Sequence, residues 1–291
     1  MQWEKFGAQG DLGILFTKSR KLGLVNYRLS PLGLYWGNRE NNLDLQNEVV
    51  ATVSSICGRW NTLNLIWNIR YNTQDTLQTT LIRLGDKNCQ VRTSATHVLI
   101  IAGQSYAQVL ARAKSVTRQQ VRYGLGAELE VRKLETKQDL DKHEALYLNW
   151  VKSKDIHPKP LPLFRKLSNE CSGASLVGAF KGERLLAAIL LFKDANEWFY
   201  WHGVRDSAHD RYFATDVLLS HAIREACEEG VFYFNMGGSN NIRSLEFFKE
   251  RWGAQKQPIW SLRWDNPYWN RLFMTLQRIT ESSIINVRRG R

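Results

Sequence analysis

Phe232-Tyr233-Phe234-Asn235-Met236-Gly237-Gly238-Ser239, followed a few residues later by Ser244-Leu245-Glu246-Phe247-Phe248-Lys249-Glu250-Arg251-Trp252-Gly253, is the stretch that decides the fold. An aromatic run favours a buried strand, and Gly237-Gly238 permits positive φ or a close backbone approach. The amphipathic segment that follows reads as a helix closed by Gly253. Its unpaired N–H groups and the positive end of its dipole face the glycine turn. A strand, turn and helix of this kind set Lys249 and aromatic rings around a mouth that suits a polar ligand. An ordinary βα connection would look the same locally, so the surroundings decide.

Upstream, residues 175–180 read as a strand and Lys181-Gly182-Glu183-Arg184 as a hairpin turn. Residues 185–192 form a continuous apolar strand, 197–204 an aromatic one, and 215–229 a helix closed by Gly230. Downstream, 258–264 is a last strand. The order strand, strand, strand, helix, strand, helix, strand describes a mixed α/β sheet. Residues 105–123, 137–152 and 163–170 carry apolar positions at helical spacing, the last pair separated by a loop with Pro158, Pro160 and Pro162. The first third reads as a hairpin, 13–17 with 22–28, a loop at Ser30-Pro31-Leu32-Gly33, a helix over 43–60, and strands at 63–69 and 97–101. No P-loop, G-x-G-x-x-G, H-E-x-x-H or G-x-S-x-G motif occurs.

With 291 residues and 43% hydrophobic content, the chain has length and apolar mass for two domains, or for one large domain with substantial insertions, and for a sizeable core. The formal charge of +12 biases its surface toward polyanions such as RNA, nucleotide-linked sugars, CoA-like donors or anionic lipid. Cys57, Cys89, Cys171 and Cys227 are scattered with no C-x-x-C spacing, which argues against a zinc site or disulfide framework and suits a reducing cytoplasm. No apolar run has the length of a membrane span, and the first residues lack the core of a secretory signal. The expected location is cytoplasmic, with peripheral contact to the inner membrane surface open.

Four stretches in order resemble the FemAB-like branch of the GNAT superfamily, the peptidoglycan-type aminoacyltransferases and their polysaccharide-cluster relatives. They are Ala113-Lys114-Ser115-Val116-Thr117-Arg118-Gln119-Gln120-Val121-Arg122; Leu176-Val177-Gly178-Ala179-Phe180 with 185–191; Tyr200-Trp201-His202-Gly203 running to Arg211-Tyr212; and the opening segment. The resemblance implies a doubled GNAT-like α/β (α+β) fold whose two mixed-sheet halves face a cleft. It divides the chain into an abbreviated first half (1–104), an acyltransferase half (105–265) and an amphipathic basic tail (266–291). It implies an acyl- or aminoacyltransferase with no permanently bound cofactor or metal. The co-substrate would be an aminoacyl-tRNA or acyl-CoA, and the acceptor an amine or hydroxyl of a cell-envelope or polysaccharide precursor.

By the same resemblance, Phe248 and Lys249 fall on a Phe-Lys pair beside the donor, with Gly237 and Gly238 next to it. Arg211 and Tyr212 stand at the start of the loop that cradles pyrophosphate in GNAT enzymes. There, Ala214 and Asp216 replace glycines that let phosphate press on bare amides, which disfavours acetyl-CoA and leaves room for an aminoacyl-tRNA or another donor. His202 is a candidate proton acceptor for the attacking amine. Asn235 stands where the family often has aspartate, which argues against a carboxylate base at that position. Lys18, Arg20, Arg28, Arg118 and Arg122 are candidates to hold a sugar-nucleotide or lipid-phosphate acceptor. The tail, with Tyr268-Trp269 and Arg288-Arg289-Gly290-Arg291, suits either docking on the protein's own body or an anionic membrane. Against the enzyme stands a non-catalytic module of the same fold that binds RNA or another polyanion.

Overall fold

The computed structural model describes residues 2–6, 12–21, 24–35, 51, 54–58, 62–69, 89–171, 173–269 and 271; within 2–35 it describes the backbone alone. Eleven strands form one mixed sheet: β1 (Gln2–Phe6), β2 (Leu12–Lys21), β3 (Leu24–Tyr35), β4 (Thr62–Ile69), β5 (Cys89–Ile100), β6 (Glu130–Lys133), β7 (Ala174–Lys181), β8 (Arg184–Lys193), β9 (Glu197–Arg205), β10 (Tyr233–Asn235) and β11 (Gln255–Asp265). Their order across the sheet is β1-β2-β3-β4-β11-β5-β10-β9-β8-β7-β6. The helices are α1 (Tyr106–Arg112), α2 (Ser115–Gly126), α3 (Lys137–Lys154), α4 (Leu161–Glu170), α5 (Ala214–Glu228) and α6 (Arg243–Glu250).

β8 shows why the sheet is covered on both sides. Its run Leu185–Phe192 has no polar face, and alternate residues enter two different cores. Ile189 and Leu191 pack with α5, while Leu190 and Phe192 pack with the rings of α3 and α4. Leu190 and Leu191 are fully buried, and each such side chain contributes about 1.5–3 kcal/mol of transfer free energy. β9 and β10 run parallel with α5 as the crossover, and every other pairing in this half is antiparallel.

The strand order also carries a crossover between the expected halves. β5 precedes α1 in sequence, yet it inserts between β10 and β11 and pairs antiparallel with both. β11 then pairs with β4, so the last strand of the C-terminal half joins the N-terminal strands into the same sheet. The two parts of this doubled GNAT-like fold therefore share backbone hydrogen bonds.

Three expectations are corrected. The helix over 105–123 is two helices, broken at Ala113-Lys114. The Arg251 carbonyl takes the Lys114 N–H at 2.8 Å and the Thr117 hydroxyl at 3.1 Å, which holds the break open. The loop at Ser30-Pro31-Leu32-Gly33 lies inside β3, opposite a register shift between Ile14 and Phe16. Proline lacks a ladder donor, and such a bulge is where a strand tolerates it. The short strand over 97–101 is the end of a twelve-residue strand whose first part has the exposed, polar composition of a sheet rim. Of the helix expected over 43–60, residues 54–58 are helical within the described part.

Candidate active site

β9 and β10 pair only through Tyr233 with Glu197, Phe234 with Trp198 and Asn235 with Phe199. β10 ends there, while β9 continues to Arg205. Trp201 is an extra residue in β9: the ladder to β8 passes from Tyr200–Leu191 to His202–Leu190. Such a bulge increases twist and turns the strand away from its neighbour. From Tyr200 onward the β10 side of β9 has no strand partner among the described residues. A cavity of about 360 Å³ occupies the gap, walled by Trp150, Phe199, Tyr200, Trp201, His202 and Phe248, with Gly237 and Gly238 opposite. Gly203 at its edge is required by packing, because a Cβ there would collide with the Tyr200 hydroxyl.

Under the cavity lies a buried polar chain. Asn235 Oδ1 accepts from the Thr96 hydroxyl (2.6 Å) and from the Gly237 N–H (2.8 Å). Asn235 Nδ2 donates to Glu197 Oε1 at 3.0 Å. The Gly237 bond closes a turn in which Gly237 has φ of 79°, the left-handed region that favours glycine. Lys249 completes the turn from α6. Its ammonium donates to the carbonyls of Gly237 (2.8 Å) and Gly238 (2.7 Å), and burial pushes its pKa down to about 8 against the attraction of Glu246.

His202 lines the cavity from within an aromatic cluster. Its ring centroid lies 5.1 Å from Phe164, 5.4 Å from Tyr147 and 5.9 Å from Trp150. Its Nε2 has no partner among the described residues, and burial, followed by the charges of Lys159 and His143, lowers its pKa to about 3. His143, stacked on Tyr147, has neither ring nitrogen partnered among the described residues and falls to about 4 by burial. Both imidazoles are neutral at pH 7. The unfolded chain, with an ordinary histidine pKa near 6.5, binds protons that the fold rejects. Stability is therefore intact above about pH 6.5 and falls as the pH drops toward 4. The two groups together cost on the order of 5 kcal/mol by about pH 4.5. Urea titrations at neutral pH and at about pH 4.5 should show this loss, with roughly half of it absent in His143→Phe. Equal acid losses in wild type and variant would contradict the assignment.

A second cavity, of about 300 Å³, lies before the N-terminus of α5 and is lined by Arg205, Asp206, His209, Asp210, Asp216 and Arg251 among others. Here the charges are already matched. Asp216, in the first turn of α5, is buried against Arg251 at 2.6 Å; Asp206 takes Arg184 and His209; Asp210 takes Arg205. The backbone enters α5 through a 3-10 turn, Ser207–Tyr212, and through Phe213, which has φ of 48°. Arg211 is exposed on that turn, with its guanidinium over the Tyr212 ring and a 3.3 Å bond to its hydroxyl.

Asn235, Gly237, Gly238, Phe248, Lys249 and His202 thus meet at one cavity. Arg211 and Tyr212 lie outside both. Arg118 and Arg122 are exposed on α2, where Arg118 donates to the carbonyls of Ala111 (3.3 Å) and Ala113. Lys18 and Arg20 sit on β2 and Arg28 on β3, and their side chains lie outside the described residues, as does the tail beyond residue 271. Sequence reasoning passed over Glu197, Thr96, Trp150 and the Asp216–Arg251 pair. The available signal for Glu197 was a carboxylate opening an otherwise aromatic, buried strand.

A parallel strand pair joined through a helix and parted beyond a bulge, with a cavity in the gap, defines a GNAT-type acyltransferase. The sequence profile described as "Acetyltransferase (GNAT) domain" matches residues 111–252, and this part of the chain is a GNAT-type acyltransferase domain. No curated protein matches the sequence. Among solved structures the chain is similar to FemX, at 13% identity and a TM-score of 0.64, over 93% of this chain and 90% of that one. It is similar to the C-terminal domain of a putative lysylphosphatidylglycerol synthetase from Agrobacterium fabrum, at 13% identity and a TM-score of 0.59, over 89% and 82%. A tandem GNAT protein from the clavulanic acid biosynthesis pathway matches at 10% identity and a TM-score of 0.51, over 87% and 79%. At these identities the likeness is one of fold. Among the described residues no helix is long and apolar enough to cross a membrane.

Proposed function

We propose that this enzyme takes an aminoacyl group from the ester of an aminoacyl-tRNA and transfers it to an amine or hydroxyl of a cell-envelope precursor. The observation that carries the reading is the unpartnered edge of β9, from Tyr200 to Gly203, facing the Gly237-Gly238 turn across the cavity. An exposed strand edge offers backbone donors and acceptors to an extended acyl chain. The attacking nitrogen or oxygen adds to the acyl carbonyl carbon, the ester C–O bond breaks, and the proton passes to the departing ribose hydroxyl. Alignment and a donor for the developing oxyanion supply most of such a reaction's acceleration.

The α5 terminus supports an ester on tRNA over acyl-CoA. A pyrophosphate is held by a free helix N-terminus and unneutralised cations. Here the Asp216 carboxylate occupies that first turn, and the neighbouring cations Arg184, Arg205 and Arg251 are all paired with carboxylates. The net charge of +12 instead suits a long polyanion bound over a broad surface. Under this reading Asn235 orients Glu197 and the turn and moves no proton. His202 contributes a neutral, apolar-walled ring, since its depressed pKa makes it a poor base. Arg118 and Arg122, with Lys18, Arg20 and Arg28, remain the cations proposed for the phosphate of a sugar-nucleotide or lipid-linked acceptor.

The test incubates the protein with envelope-precursor extract and either radiolabelled aminoacyl-tRNA or radiolabelled acetyl-CoA. Label should reach the precursor from aminoacyl-tRNA, and prior RNase treatment should abolish it. Transfer from acetyl-CoA alone would overturn the donor, and transfer from neither would overturn the reading of this cavity.

A further inference from the structure

Glu197 is 3% exposed, yet it has half the partners a buried carboxylate needs. Oε1 accepts from Asn235, whereas Oε2 has no hydrogen-bond partner among the described residues. Among the described residues no lysine, arginine or histidine forms an ion pair with it. Lys249, the cation on the same cavity wall, is committed to the Gly237 and Gly238 carbonyls, and the carboxylate acting on its charge is Glu246. A buried charge is normally paired, because leaving it bare costs several kcal/mol. Oε2 is thus free to accept from a donor entering the cavity.

The walls indicate what kind of donor. Glu197 lines the 360 Å³ cavity together with the rings of Trp150, Phe199, Tyr200 and Trp201, and Lys159 already sets its ammonium over the Trp201 ring at 5.5 Å. Aromatic faces attract a cation and cover a methylene stem, and they repel an anion. We propose that this cavity is a recognition site for a primary ammonium, with Glu197 Oε2 as its counter-ion and the tryptophan and tyrosine rings as its sleeve. The proposal deepens the transfer reading above by naming the charged group the site selects. Two sources would present that group: the α-ammonium beside the carbonyl of an aminoacyl ester, and the terminal ammonium of an amine acceptor. Asn235 fits the same logic, since its Nδ2 holds Glu197 in place where an aspartate would set a second negative charge against it.

The test is a binding measurement, so it reads this site whether or not transfer is detected. Calorimetric titrations at neutral pH compare norleucinamide (ammonium beside a carbonyl), n-pentylamine (ammonium at a chain end) and hexanamide (no ammonium). At least one amine should bind about tenfold or more tightly than hexanamide, and Glu197→Gln should remove that preference. Tighter binding of norleucinamide assigns the site to the donor's aminoacyl group, and tighter binding of n-pentylamine assigns it to the acceptor. Should Glu197→Gln fail to fold, Trp150→Leu at the half-exposed rim should weaken both amines by a larger factor than hexanamide. Equal binding of all three ligands, no amine binding at millimolar concentration, or a preference that survives Glu197→Gln would each overturn the proposal.

Discussion

Replacing Arg251 by alanine should cost about 3–5 kcal/mol of folding stability at neutral pH, the range found when one partner of a buried ion pair is removed. Arg251 and Asp216 have side chains only 11% and 8% exposed, joined at 2.6 Å. The guanidinium also bonds Gln120 and lies over the Phe248 ring, so it ties α2, α5 and α6 together. Without it Asp216 becomes a bare carboxylate with little beyond the α5 dipole to stabilise it. Burial already raises the Asp216 pKa, with Arg251 opposing, and removing Arg251 raises it further. A carboxyl that titrates higher in the fold than in the unfolded chain loses its penalty on acidification. The deficit of Arg251→Ala relative to wild type should therefore shrink between pH 7 and about pH 4.5, even though both proteins lose histidine-linked stability there. Denaturant midpoints at the two pH values measure this. A deficit under about 1 kcal/mol at pH 7, or one that grows in acid, would rule out the bare-carboxylate account. The double variant Asp216→Leu/Arg251→Met should recover most of the loss, because a volume-matched apolar pair removes both desolvation costs.

The same pair explains which parts of the fold were legible in the sequence. That strand, turn and helix were readable because every determinant is local: an aromatic run into β10, a glycine turn with Gly237 at positive φ, and helical spacing through α6. β7, β8 and β9 were readable for the same reason. Ala113-Lys114 was not, since its neighbours favour a continuous helix and the break is held by the Arg251 carbonyl from the far end of the half. Asp216 was visible as a departure from a glycine position, but its meaning was not. It is an internal anion at a helix N-terminus, and its partner lies on a helix that sequence spacing does not connect to it. The polar start of β5 reads as loop because the strand is paired on a rim, where composition follows solvent and not hydrogen bonding.

At the site, the residue types were legible but their assignments to one another were not. Asn235 was read as the loss of a carboxylate. The structure shows a carboxylate carried one strand over, on Glu197, and the asparagine as its donor. That exchange depends on the parallel register of β9 and β10, which no single-strand pattern reveals. Phe247 and Phe248 cannot share one helix face: Phe247 is exposed beneath Lys114, while Phe248 turns toward Arg251 and the cavities.

Lys249→Met should reduce transfer by about a hundredfold in kcat/KM, the order expected when a reacting group is misplaced by about 1 Å. Lys249 is 5% exposed and its ammonium donates one bond to each of the two carbonyls that shape the floor of the cavity. Methionine keeps the stem and leaves both carbonyls short of a donor, at a cost of about 1–3 kcal/mol for each that stays dry. Removing a buried charge offsets part of that cost. The pH dependence separates the two contributions. Burial holds the Lys249 pKa at about 8, below the ordinary lysine value of 10.5, so the unfolded chain binds more protons between them. Wild-type stability should accordingly rise with pH from about 8 toward 10.5 through this group, and that rise should be missing in Lys249→Met. A lysine that instead reached out to a donor phosphate would give a different result. Its methionine variant would raise KM for the donor, leave stability unchanged and keep the alkaline slope. Steady-state kinetics together with urea titrations at about pH 7.5 and 10 distinguish the two, and the bonds to Gly237 and Gly238 predict the loss of slope.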